Sequence, residues 1–217
     1  MEQAASWKWE CRRRQHCEAE ECAGEENDRM WMREVTVGPI GTRCYLVGLE
    51  DRNDCVVIDP GEEADRIRKA ADGRKIAAIL LTHGHFDHIG AVRELMEPDT
   101  RLYIHSLDRP MLREPALNAS RGLLHREVTA PDATDAVKEG DLLRLAGLEI
   151  QVLHTPGHTP GGVCYEIGGE LFTGDTLFEH GWGRTDLPGG NQHEMMQSLR
   201  RLMPLARRMP IHPGHEG

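Results

Sequence analysis

Long apolar runs are missing from this sequence. Nothing in its 217 residues approaches the roughly 20 consecutive apolar positions that a membrane-crossing helix needs, and no apolar core of a secretory signal stands near the amino terminus. A surplus of positive charge is missing too: 26 Lys and Arg face 36 Asp and Glu, for a formal net charge of −10. Phosphate binding needs concentrated basic residues, so nucleic acid is not the expected partner. No Gly-x-Ser-x-Gly elbow is present to offer a nucleophilic serine, and no Cys-x-x-Cys knuckle to hold a structural zinc. The six cysteines are Cys11, Cys17, Cys22, Cys44, Cys55 and Cys164. Without an export signal they are expected to be reduced thiols in a cytoplasmic protein. What remains is a chain sized for one full core plus a tail, with a small-molecule substrate as the natural partner and its oligomeric state open. Residues 1–29 are polar, charge-rich and without periodicity. They are expected to form a disordered acidic tail, dispensable for folding and activity, and residues 30–217 the working domain.

Histidine, by contrast, is plentiful, with twelve in the chain. Three of them fall in Thr82-His83-Gly84-His85-Phe86-Asp87-His88, directly after the apolar run 76–81. That run is short and reads as a buried strand, and the carboxyl end of a strand is where an α/β sheet places its site. If the segment stays extended, residues 83, 85 and 87 project to one side and His88 to the other, toward a second centre. Imidazole and carboxylate together suit zinc, iron or manganese.

The rest of the chain supplies similar strand ends. Strand-like runs occupy 34–37, 44–48 and 55–58, the last ending in Asp59-Pro60-Gly61, where Asp59 is either a turn former or a group that steadies the metal site. Helices are expected over 62–71, 89–96 and 107–112, the last capped by Ser106. Residues 113–139 read as a long loop or short helices, from which Asn118, Arg121 or His125 could reach a substrate. His105 is placed as a structural or surface residue. Two hairpins follow, turning at Ala146-Gly147 and Gly168-Gly169. Between and after them stand Pro156-Gly157-His158-Thr159 and Gly174-Asp175-Thr176. Asn191 with Glu194 starts a helix with buried Met195, Leu199 and Leu202, and the chain finishes on Ile211-His212-Pro213-Gly214-His215. Two β-rich halves, each with covering helices, predict an α+β fold: a four-layer αββα sandwich with two sheets inside.

Taken together, His83-x-His85-x-Asp87-His88, His158 in Thr-Pro-Gly-His, Asp175 in Thr-Gly-Asp-Thr and His215 in Pro-Gly-His resemble the metallo-β-lactamase-fold superfamily in order and spacing over residues 33–217. The resemblance implies two divalent metal ions, zinc first and iron or manganese next. His83, His85 and His158 would hold one; Asp87, His88 and His215 the other; Asp175 would bridge them. Asp87 and Asp175 become the carboxylates expected in catalysis, and Asp59 a supporting residue. A metal-activated water would then be the nucleophile. Gly183-Arg184-Thr185-Asp186-Leu187-Pro188-Gly189-Gly190 resembles the glyoxalase II-like single-domain branch, which implies hydrolysis of thioesters such as S-acyl-glutathione and puts Arg184 and Asp186 on the substrate side. Two alternatives remain beside it: a mono-iron persulfide dioxygenase using His83, His158 or His85, and Asp175; or an inactive metal-binding relative. The sequence ends two residues past His215, which sets the expectation of a loosely held last ligand.

Overall fold

The computed structural model describes residues 29–124 and 126–216. The expected tail up to residue 28, with Cys11, Cys17 and Cys22, lies outside the described residues, as does His125. Six strands form the first sheet in sequence order: β1 (Met30–Val37), β2 (Thr42–Leu49), β3 (Asp54–Ile58), β4 (Lys75–Leu80), β5 (Arg101–His105) and β6 (Asp135–Val137). β1, β2 and β3 pair antiparallel, and β3 to β6 run parallel. β1 begins four residues earlier than the sequence suggests, with Met30 opposite Leu49. The second sheet has five strands: β7 (Leu142–Leu145), β8 (Leu148–His154), β9 (Val163–Ile167), β10 (Glu170–Gly174) and β11 (Ile211–Pro213), in the order β11-β10-β9-β8-β7. Both hairpins turn where expected. The two residues of each turn take positive φ (50° and 77° at Ala146 and Gly147, 58° and 82° at Gly168 and Gly169), the geometry of tight hairpins.

Alternation along the strands divides the core into three apolar layers. On β3, Cys55 and Val57 face outward with Ile67, Val92 and Leu95, while Val56 and Ile58 face inward to Ile150, Tyr165 and Phe172 of the other sheet. On β9, Cys164 faces outward with Met195, Leu199 and Leu202. Three apolar interfaces between four layers are the αββα sandwich. Helices α1 (Ala64–Ala70), α2 (Phe86–Ile89), α3 (Val92–Leu95) and α4 (Ser120–Leu123) lie in the first half, and α5 (Gln192–Ala206) covers the second. Asn191 caps α5 by accepting from the N–H groups of His193 and Glu194. Among the described residues no helix is long and apolar enough to cross a membrane.

Three expected helices come out differently. The helix expected at 62–71 starts at Ala64, because Glu63 takes a left-handed backbone (φ 58°). The helix expected at 89–96 breaks into α2 and α3. At the break the Ala91 N–H donates to the Pro60 carbonyl, and a side chain at Gly90 would strike the Gly61 carbonyl. At 107–112 there is only a 3₁₀ turn, Arg109–Leu112, preceded by Asp108 rather than capped by Ser106. The uncertain stretch 113–139 contains α4 and β6. Asn118 is fully buried, donating to the Met111 and Val128 carbonyls and accepting from the Ser120 N–H, so it braces the loop rather than facing a substrate. Arg121 pairs with Glu127 on the surface.

Candidate metal centre

β8, β10 and β11 run in one direction, so the loops after them open on one edge of the second sheet. The loop after β4 reaches that edge from the first sheet, where the Val163 N–H donates to the Thr82 carbonyl and the Tyr165 hydroxyl to the Leu81 carbonyl. Four loops distant in sequence therefore converge, carrying His83 and His85, His158, Asp175, and His215. The chain is extended only as far as His85 (ψ 153°), and α2 then begins at Phe86. Asp87 consequently does not project with His83 and His85. It turns toward His88 and His215, which corrects the even-odd expectation from an extended segment.

Two triads that share no residue result, each with its ligand-type atoms within 4.8 Å of one another: His83, His85 and His158; and Asp87, His88 and His215; a third group, Asp59, His83 and His88, overlaps both. Asp175 lies between them, Oδ2 3.4 Å from His158 Nε2 and Oδ1 3.5 Å from His88 Nε2. His215 sits with Nε2 3.1 Å from Asp87 Oδ2, on a loop whose Gly214 N–H donates to the Gly174 carbonyl and whose Gly214 carbonyl accepts from the Arg43 N–H. Gly214 is required there, since a Cβ would strike the Asp175 carboxylate and stand 2.8 Å from His88 Cε1. His158 Nδ1 donates to the Arg184 carbonyl at 2.7 Å, which turns Nε2 inward. Asp59, also at positive φ (50°), accepts from the Thr82 N–H and hydroxyl at 2.8 and 2.6 Å and lies 3.0 Å from His88 Nδ1. Arg184 and Asp186 form an exposed, bidentate ion pair at the mouth.

The donor set fits metal ions. Among the described residues, His83 Nε2, His85 Nε2 and Asp175 Oδ1 are buried polar atoms with no hydrogen-bond partner. Each such atom costs about 1–3 kcal/mol unless something satisfies it, and a cation between them would. Burial, then the neighbouring imidazoles, pushes His83 and His85 well below the ordinary histidine range and keeps them neutral, as ligands must be. Burial acts the same way on His88, but the carboxylates of Asp87, Asp59 and Asp175 outweigh it and hold its pKa well above the usual value. His215 is raised for the same reason by Asp87 and Asp175. The first cluster offers neutral imidazoles; in the second the carboxylates favour a proton on His88 and His215, which a metal ion would displace on binding.

Asp108 carries the part of the site that the sequence pattern hid. Its side chain is fully buried, accepting from the Thr159 hydroxyl (2.6 Å), the Gly161 N–H (2.6 Å) and the Gly84 N–H (3.3 Å), and burial raises its pKa. It clamps the loop of His83 and His85 to the loop of His158. Thr42 similarly donates to Asp87 Oδ2. His212 and His154, which stand near candidate ligands in the chain, stay outside the cluster: His212 pairs with Glu170, and His154 stacks on His105 with ring centroids 4.2 Å apart. Burial, and then His154, lowers the pKa of His105 from 6.5. As pH falls below 6.5 the unfolded chain takes up a proton that folded His105 resists, so stability is lost across that window. In His105→Gln the difference in urea midpoint between pH 7 and pH 5.5 is expected to shrink.

Comparison with known proteins agrees with this geometry. A family profile described as the metallo-beta-lactamase superfamily matches residues 37–215. A hydroxyacylglutathione hydrolase of Haemophilus influenzae, GloC, is 35% identical over 190 residues, 83% of this chain and 88% of that protein. Among solved structures, the B3 metallo-β-lactamase BLEG-1 superposes with a TM-score of 0.80 at 35% identity, covering 86% of this chain and 92% of its own. A protein solved in a di-iron-bound form superposes with a TM-score of 0.75 at 40% identity, covering 85% and 92%.

Proposed function

We propose that this chain, which belongs to the metallo-β-lactamase superfamily, is a dinuclear metal-dependent hydrolase of thioesters such as S-acyl-glutathione. The observation that carries the proposal is the meeting of two ligand triads at Asp175, with unpartnered donor atoms facing the space between them. His83, His85 and His158 would hold one ion; Asp87, His88 and His215 the other; Asp175 would bridge. The nitrogen and oxygen donors suit zinc first and admit iron or manganese. Two such ions supply a water acidified toward neutral pH and an electrophile for the carbonyl oxygen.

The protein's own groups do the rest. The Arg184 carbonyl fixes the His158 tautomer, Asp59 faces the far nitrogen of His88, and Thr42 orients Asp87. Arg184 and Asp186 stand on the substrate side. The thioester is favoured over other carbonyl compounds because a thiolate leaves without strong acid assistance, and beyond the residues assigned as ligands the cavity lining offers Arg184 as its one titratable side chain, among the described residues. The likeness to a hydroxyacylglutathione hydrolase supports the same substrate class.

Elemental analysis of protein purified without added metal is expected to find about two equivalents of metal per chain. That protein should hydrolyse S-lactoylglutathione. One feature admits a second reading, a mono-iron dioxygenase: with Asp175 Oδ2 3.4 Å from His158 Nε2, the first triad and Asp175 alone would hold a single iron. A single equivalent of iron, with oxygen uptake on glutathione persulfide and no thioester cleavage, would establish that reading instead.

A further inference from the structure

Beside the candidate metal centre lies a cavity of about 340 Å³ lined in part by His85, Asp87, His158, Asp175 and His215. Its walls are Ile40, Phe86, Ala119, Leu123, Phe178 and Leu187. Phe86, Ala119 and Leu187 are explained by packing, since each also belongs to or rests on the outer apolar layer of the first sheet. Ile40, Leu123 and Phe178 belong to none of the three apolar layers. Ile40 sits on the β1–β2 turn and is 52% exposed; Leu123 ends α4 and is 55% exposed; Phe178 follows the Asp175 loop. A single exposed leucine needs no explanation. Three large apolar side chains from three separate segments, turned to one cavity above one reaction centre, form a surface that lacks only its occupant.

We propose that this cavity is an acyl pocket: the substrate is a thioester whose acyl group is an apolar chain of several carbons, and Ile40, Leu123 and Phe178 set that preference. The inference rests on the thioesterase reading and narrows it. The acyl side is assigned to the cavity by charge. A glutathione moiety carries two carboxylates and an ammonium, and burying these against isoleucine, leucine and phenylalanine leaves them without partners at a cost of several kcal/mol. Arg184, the cation at the edge of the cavity, is already held at 2.6 and 2.7 Å by Asp186. The charged thiol part therefore stays toward solvent, the carbonyl lies over the two triads, and the hydrocarbon enters the cavity. In the reaction the oxygen of water forms the new C–O bond and the C–S bond breaks with its electron pair on sulfur. One proton of the water goes to the thiolate and one to solvent.

The test uses the metal-loaded full chain and S-acyl-glutathiones with lactoyl, acetyl, butanoyl and hexanoyl groups. kcat/KM is expected to rise by up to about fourfold for each methylene that enters the cavity, the ratio corresponding to burial of one CH₂. Hexanoyl should exceed both acetyl and lactoyl by at least about tenfold, and Leu123→Asn and Ile40→Asn should each cut the hexanoyl-to-acetyl ratio by about fivefold or more. Calorimetric titration with S-hexylglutathione and S-methylglutathione, neither of which can be hydrolysed, gives a readout independent of turnover. The hexyl compound should bind at least about tenfold tighter, and the variants should erase the difference. If lactoyl and hexanoyl thioesters are cleaved alike and the two thioethers bind alike, the acyl pocket is overturned and the hydrolase stands. If no thioester is cleaved but the hexyl preference and its loss in the variants are seen, the hydrolase reading falls and the apolar pocket remains.

Discussion

Asp175→Ala is expected to lower kcat/KM by about 10³-fold or more, equivalent to about 4 kcal/mol of lost transition-state stabilisation, without unfolding the protein. The two halves of that expectation come from different features of the same side chain. The carboxylate oxygens of Asp175 face both triads, Oδ2 toward His158 and His215 and Oδ1 toward His88, so its removal takes a donor from each. Metal content should drop from about two equivalents to one or fewer. Yet Oδ1 is buried with no hydrogen-bond partner, and the contacts of Oδ2 are histidine nitrogens at 3.4 and 3.6 Å. Little that holds the metal-free fold together is lost, so thermal unfolding of the metal-free variant should match that of the parent within a few degrees. The gain in stability on adding metal, large in the parent because only the folded state assembles the site, should shrink in the variant. Activity within tenfold of the parent would remove Asp175 from the mechanism.

Much of this cluster was legible because each candidate ligand is announced by local chemistry. His83, His158, Asp175 and His215 each follow a strand-like run and stand beside glycine, and short apolar runs with hairpin turns fix where strands end. Ala146-Gly147 and Gly168-Gly169 state their turns in two residues, so the second sheet could be read nearly strand by strand. Tertiary contacts decided the remainder. The apolar periodicity at 89–96 gives no warning that Gly90 must pass within contact of the Gly61 carbonyl, which breaks the helix. Alternation predicts Asp87 beside His83 and His85 only while the chain is extended, and the helix beginning at Phe86 sends it to the other triad. β6 is three residues in a polar stretch and exists because β5 offers it a parallel edge. Asp108 reads as an ordinary surface aspartate at the start of a turn. Its partners lie 24, 51 and 53 residues away, and nothing near it in the chain indicates that it points inward.

That buried aspartate supports the second large expectation. Asp108→Ala should destabilise the protein by about 3–9 kcal/mol, since three donors lose their acceptor at once and each unsatisfied buried donor costs about 1–3 kcal/mol. For a chain of this size, about 2–4 °C of melting temperature accompanies each kcal/mol, so a fall of about 6 °C or more is expected. Burial raises the carboxyl pKa, which means the charged form is already costly. What holds it is the Thr159 hydroxyl and the N–H groups of Gly161 and Gly84, and these are also what tie the two ligand loops together. The effect on the centre should therefore exceed the effect on the fold. Asp108→Asn, which keeps the shape and one acceptor oxygen, should recover a large part of the melting temperature. Its amide nitrogen must still face one of three donors, so metal affinity should remain about 10–100-fold weaker, the usual consequence of losing a group that orients ligands. Metal titration of the refolded Asn variant separates the two roles. Weakened binding in a protein that melts near the parent identifies Asp108 as a positioning residue for His83, His85 and His158, whereas parental affinity at a lowered melting temperature confines it to the scaffold.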